Sequence, residues 1–201
     1  MKASYTGQNQ KLRRAAAFVN RLDGTEAFWT DIRNKPDYDY TRLSSAEVHR
    51  RLRASDGTVR VKLWTPKPDT YLKTVALTRK SSPWYIYYNT RKLDRLTSSM
   101  VNTIVHEFVH SVDYFDDGDD AIEMGHGGSS SVGKQDSAPY WIGSRAARYY
   151  RQAMNLPREY QEEEEYVHEE VDDIDEADII NEPEVPLRAF EDEDPPEEPE
   201  A

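Results

Sequence analysis

The spacing of apolar residues changes along this chain and divides its first 157 residues into predicted helices, then strands, then helices again. Apolar and polar residues alternate strictly over Thr58–Trp64, as in a strand with one buried face. Strand-forming residues also fill 71–78 and 83–89. Apolar residues three or four positions apart, which predict amphipathic helices, recur in the stretches 9–22, 26–33, 46–53 and 101–115. The pattern therefore predicts an α+β fold.

Local signals place the ends of several elements. Ser44 followed three residues later by Glu47 is a capping box, which marks the start of a helix. Ser137 shortly before Pro139 marks another helix start. Short polar turns join the predicted strands. The sequence therefore predicts N-terminal helices, a small, mainly antiparallel sheet, the helix at 101–115 and a closing C-terminal helix. The aromatic run 84–88 is either the exposed edge strand of that sheet or a strand that only fills the core.

The helix at 101–115 contains the pattern His-Glu-x-x-His. His106 and His110 are four residues apart, so their imidazoles point the same way from one helix face, as two ligands of one metal ion must. Glu107 is rotated about 100° from His106 and reaches the rim of the same site. There it can accept a proton from a metal-bound water. An apolar stripe on another face of the helix predicts its burial and consists of Val101, Ile104, Val105, Phe108, Val109 and Val112.

A catalytic zinc site needs a third protein ligand and one open position. His126 is the first candidate, because glycines on both sides allow the backbone to bring its imidazole close to the helix. Three carboxylates remain as alternatives, Glu123, Asp116 and Asp113. Asp113 lies three residues after His110 and is also a candidate to orient a ligand imidazole from behind.

Tyr140 is a candidate catalytic residue at the start of the closing helix. A phenol near the metal can donate a hydrogen bond to the oxyanion of a tetrahedral intermediate. The alternative is an ordinary packed tyrosine. The sequence therefore predicts a zinc ion (Zn²⁺) held by His106, His110 and His126, with Glu107 and Tyr140 as the catalytic residues.

Charge is distributed very unevenly in this chain. Residues 160–201 contain 20 acidic residues and one basic residue, Arg188, whereas the chain as a whole has a net charge of −12. The first 159 residues therefore have a net charge of +7. A segment so acidic cannot bury enough apolar surface to offset its ordering entropy. We predict a flexible N-terminus at 1–8, one domain at 9–157 and a disordered acidic tail at 158–201.

Composition also excludes several classes of chemistry. The chain has no cysteine, which rules out disulfides, thiolate metal ligands and cysteine nucleophiles. No apolar run has the length of a signal peptide or a membrane span, so a cytoplasmic location and no membrane contact are expected. The basic body allows a nucleic-acid contact through Arg50, Arg51, Arg53 and other clusters. The acidic tail would then screen this surface and act in autoinhibition.

The residues of three segments resemble a known class of enzyme. His106-Glu107-x-x-His110 and its flanks, together with 125–128 and 137–143, resemble the zincin superfamily of metallopeptidases, in particular small zinc peptidases of bacteria and phages. The resemblance covers about a third of the chain and implies a zincin-like core acting on a protein or peptide substrate. The predicted function is therefore a zinc metallopeptidase. The alternative is a non-catalytic metal-containing protein whose basic body faces nucleic acid and is screened by the acidic tail.

Overall fold

The computed structural model describes residues 1–67, 74–116, 123–126, 133–156 and 176–180. Within these residues the chain forms five α-helices and a five-stranded mixed sheet. The α+β class predicted from the spacing of apolar residues is confirmed.

Three helices in the N-terminal third agree closely with their predicted ranges: α1 (Gln10–Asp23), α2 (Glu26–Asn34) and α3 (Ser45–Ala54). The Asn9 side chain caps α1 by accepting a hydrogen bond from the Leu12 N–H at 3.0 Å. The Ser44 hydroxyl caps α3 by accepting one from the Glu47 N–H at 3.2 Å. The predicted helix start at Ser44 is therefore confirmed.

The sheet is mixed, so the prediction of a mainly antiparallel sheet is wrong. Its strands are β1 (Lys2–Ser4), β2 (Thr58–Trp64), β3 (Ala76–Arg79), β4 (Ser82–Asn89) and β5 (Ile179–Ile180). Their order is β1-β2-β4-β3, and β5 also pairs with β2. β2 is parallel to both β1 and β4, whereas β3 pairs antiparallel with β4 and β5 antiparallel with β2. The parallel β1–β2 pair arises because α1, α2 and α3 form a crossover between these strands.

Of the two alternatives for 84–88, the structure excludes the edge strand, because the run belongs to β4, which lies between β2 and β3. β4 forms a hairpin with β3 and also pairs with the distant strand β2. The edge position depends on this long-range pairing, which the composition of the strand does not encode. Among the described strands, β3 ends the β4 side of the sheet.

The first residues of the chain, assigned above to a flexible N-terminus, contain β1. Met1, Ala3 and Tyr5 are almost fully buried. Asn20 of α1 binds the backbone of Ala3 through both of its amide atoms, at 2.8 and 3.0 Å. The terminal amino group also pairs with the carboxylate of Asp23. These contacts tie the strand to α1, and a three-residue strand is too short to show a period in the sequence.

Two further helices complete the main core. Helix α4 (Thr97–Asp116) begins four residues earlier than predicted, and α5 (Ala138–Ala153) follows the predicted start at Ser137. The two helices approach closely at Gly143, where a Cβ atom would lie only 2.8 Å from the Asn102 carbonyl oxygen. Helix α4 also packs on α1 and on β3 and β4. All six residues of its predicted apolar stripe are buried.

The sheet separates a large apolar core from a small one. The inward residues of β2, including Val61, pack with the helices in the main core. Trp64, Leu77 and Tyr87 form a second cluster, against which Ile179 of β5 packs. This strand lies inside the predicted acidic tail, whereas 157–175 and 181–201 lie outside the described residues. In the described parts of the chain, no helix has the length and apolar character needed to cross a membrane.

Candidate metal centre

Helix α4 presents two histidines from the same face, as their four-residue spacing predicts. His106 is fully buried and His110 is 2 % exposed. Their Nε2 atoms are 3.2 Å apart. Two nitrogens bound to one tetrahedral zinc ion at about 2.0–2.1 Å stand about 3.3–3.4 Å apart. The pair therefore has the separation that a shared metal ion requires.

His126, in the segment 123–126, lies close to this pair. The centroid of its imidazole is 5.4 Å from that of His106 and 4.9 Å from that of His110. The potential ligand atoms of the three histidines all lie within 4.8 Å of one another, and all three side chains are buried. Three converging imidazoles in an apolar setting can hold a metal ion. The structure thus brings together the three histidines that the sequence predicts as ligands.

The alternative carboxylate ligands have other contacts. Glu123 forms an ion pair with Arg51 at 2.6 Å. Asp113 accepts hydrogen bonds from the backbone N–H groups of Glu123 and Met124, at 3.2 and 3.0 Å. The side chain of Asp116 lies outside what the structure describes. Among the described residues, the group that could hold a metal ion therefore consists of the three histidines.

Helix α5 places Tyr140 against the histidines. The centroid of the Tyr140 ring lies 4.6 Å from that of His106 and 5.2 Å from that of His126. Burial raises the pKa of Tyr140, and the negative charge of Glu107 raises it further. The Tyr140 phenol therefore stays protonated at pH values where an exposed tyrosine ionises, and it keeps a proton to donate.

Glu107 is fully buried on the turn of α4 that bears His106. The backbone carbonyl of Glu107 accepts hydrogen bonds from Ser111 at 2.9 Å and from Thr78 of β3 at 3.4 Å. The bond from Thr78 connects the turn bearing Glu107 to β3.

Tyr114 is a neighbour of the site that the sequence analysis did not single out. Its ring stacks on the His110 imidazole, with centroids 6.1 Å apart and planes at 22°. The signal was available, since Tyr114 follows His110 by four residues and so shares its helix face. Stacking restricts the orientation of the imidazole.

No family model, curated protein or solved structure matches this chain. The zincin-like core therefore stays a prediction from short segments centred on His106-Glu107-x-x-His110. The chemistry of the site follows from the side chains it contains: three imidazoles, one carboxylate and one phenol.

We expect His126→Ala to weaken zinc binding strongly, because only the two imidazoles of α4 then remain as ligands. Zinc per chain, measured by elemental mass spectrometry after dialysis against micromolar zinc, should fall from about one to well below one. His49→Ala is the matched control, since His49 packs against Trp29 and is not part of the group of three. Equal zinc content in both variants would exclude His126 as a ligand.

Proposed function

We propose that this protein is a zinc-dependent peptidase. The observation that supports the proposal most is the convergence of three buried imidazoles, two of them on α4, where the buried Glu107 directly follows His106. Three neutral nitrogen ligands suit zinc among the common divalent ions, and a three-histidine set leaves a fourth position for water or substrate. His106, His110 and His126 would hold the ion.

A zinc ion held by these histidines would supply Lewis acidity, which would lower the pKa of a water molecule at the open position to about 7 and polarise a carbonyl oxygen. Glu107 is the general base: its carboxylate takes a proton from the attacking water and returns it to the nitrogen of the leaving amine. Its burial supports this role, because the electrostatic interaction of a carboxylate with the reacting atoms is screened less where bulk water is excluded.

Tyr140 stabilises the negative charge that develops on the carbonyl oxygen. Its phenol is 8 % exposed and packs against two of the three ligand histidines. Because its pKa is raised, the hydroxyl remains a donor throughout the neutral and mildly alkaline range. A donor fixed by packing before the reaction costs no reorganisation when the charge forms.

Glu107→Gln should leave zinc binding intact and reduce hydrolysis by at least about 100-fold, because the amide cannot accept the proton from water. Hydrolysis is measured as new amino termini produced from a mixture of unfolded proteins, detected by mass spectrometry. Glu26→Gln is the control, since Glu26 pairs with Arg53 at the protein surface. A wild-type rate in Glu107→Gln would exclude Glu107 as the base. A zinc-loaded wild type that cleaves nothing would refute the peptidase itself.

Tyr140→Phe should lower kcat by about 100-fold with little change in KM or zinc content, because the lost hydrogen bond forms mainly in the transition state. Tyr150→Phe is a matched control. Both tyrosines lie on α5 and are 8 % exposed, but Tyr150 packs against Phe18. Similar kcat values in the two variants would assign Tyr140 a packing role only.

One observation favours a second function, the binding of single-stranded nucleic acid. On the face of the sheet with the small cluster, Lys62 Nζ lies 4.5 Å from the centroid of the Tyr85 ring, and Arg60 donates a hydrogen bond to the Tyr85 hydroxyl at 3.2 Å. The ring of Tyr87 stacks beside that of Tyr85. Basic groups beside aromatic rings suit phosphates and stacked bases.

The Thr65 N–H donates a hydrogen bond to the Asp178 carbonyl, which places part of the acidic region beside this face.

Lys62→Ala should weaken the binding of single-stranded oligothymidylate. It should also make the dependence of log affinity on log salt shallower by about one unit, since one phosphate contact is lost. Fluorescence anisotropy at several salt concentrations measures both quantities. Arg33→Ala, which removes an exposed charge from α2, serves as the control. If both variants bind like wild type, the basic and aromatic face is not the binding surface.

A further inference from the structure

We propose that Arg51, Asp113 and Glu123 together hold His126 in the metal centre, and we call these three residues the His126 anchor. The inference rests on the proposed metal site and extends it to residues that position a ligand without touching the ion. Two of the three ligands belong to the rigid helix α4, where their geometry is set by the helix itself. The third belongs to the non-helical segment 123–126, so its position needs a separate cause.

Asp113 supplies the main contact. It is 1 % exposed and lies three residues after His110, on the helix face that carries the ligands. Its Oδ1 atom accepts hydrogen bonds from two consecutive backbone N–H groups, those of Glu123 and Met124. Charge-assisted bonds to two adjacent amides fix the backbone two residues before His126.

Met124 and Arg51 fix the same segment from two other directions. The Met124 side chain is fully buried in the main core. Arg51 of α3 binds Glu47 at 3.1 Å and Glu123 at 2.6 Å, so one guanidinium group joins α3 to the segment. The backbone that carries His126 is therefore held in three ways: by the Asp113 carboxylate, by the buried Met124 side chain and by the Arg51–Glu123 ion pair.

Loss of the different contacts should reduce zinc affinity by different factors. Asp113 is buried, so we expect its loss to weaken zinc binding by about 10- to 100-fold, as for other residues that orient a metal ligand. The side chains of Arg51 and Glu123 are 17 % and 35 % exposed. Because solvent screens a partly exposed ion pair, its loss should cost only about two- to fivefold in affinity.

The closing experiment is a double-mutant cycle read as zinc affinity, measured by competition with a chromophoric chelator. The variants are Asp113→Ala, His126→Ala and the double variant. If Asp113 acts through His126, its replacement weakens zinc binding in the wild type but has no further effect once His126 is alanine. An equal loss in both backgrounds would overturn the proposal, because Asp113 would then act as a direct ligand or through the whole fold.

Two further variants keep the test decisive if Asp113→Ala does not fold. Asp113→Asn retains an oxygen that accepts hydrogen bonds but removes its charge, so we expect a smaller loss of affinity than for alanine. Arg51→Gln should weaken zinc binding two- to fivefold at low salt and hardly at all in 1 M salt. Wild-type affinity in both variants would also overturn the proposal.

Arg50→Gln is the matched control for Arg51→Gln. Both arginines bind Glu47, and the ion pair to Glu123 is formed by Arg51. Failure of the anchor is distinguishable from failure of the proposed function, since the readout is zinc affinity. Zinc bound with no peptide cleavage would leave the anchor standing, whereas a wild type that binds no zinc would remove both.

Discussion

The structure depends on one constraint: residues 103–113 of helix α4 are all buried, and they include histidine and glutamate side chains. His106 and Glu107 are fully buried on a helix whose other buried residues are mostly apolar. Polar groups removed from water are costly unless they find partners. Three neighbouring elements contact this part of α4. Tyr140 of α5 lies against His106, Thr78 of β3 binds the carbonyl of Glu107, and segment 123–126 brings a third imidazole.

The same constraint explains why part of the fold was predictable. The apolar stripe of α4 has the helical period, and the polar residues left over fall on one face by geometry alone. Helix starts are equally local, since Ser44 and Asn9 cap their helices through bonds to residues three positions on. The sheet is different. Whether β4 is an edge or a centre depends on its pairing with β2, which lies before β3 in the chain and is joined in parallel. No local pattern encodes that partner.

The candidate site divides in the same way. His106, Glu107 and His110 follow from a five-residue motif, and His126 follows from the glycines beside it. The anchor was only partly predictable. Asp113 was a candidate to orient a ligand imidazole and Glu123 an alternative ligand, but no pattern in the sequence connects Arg51, one residue of a basic cluster, with either of them. Only the fold places α3 next to segment 123–126 and gives these side chains a common role.

The two proposed functions lie on opposite faces of the sheet. One face packs on α4 and so borders the imidazoles, and the other presents Lys62 beside the ring of Tyr85. Successive residues of a strand point to opposite faces, so a substitution at Lys62 alters the second face without altering the first. A peptidase and a nucleic-acid surface are therefore compatible in this one domain. If both exist, nucleic acid would concentrate the enzyme near proteins bound to the same strand, and the acidic segment joined to β2 would compete for that surface.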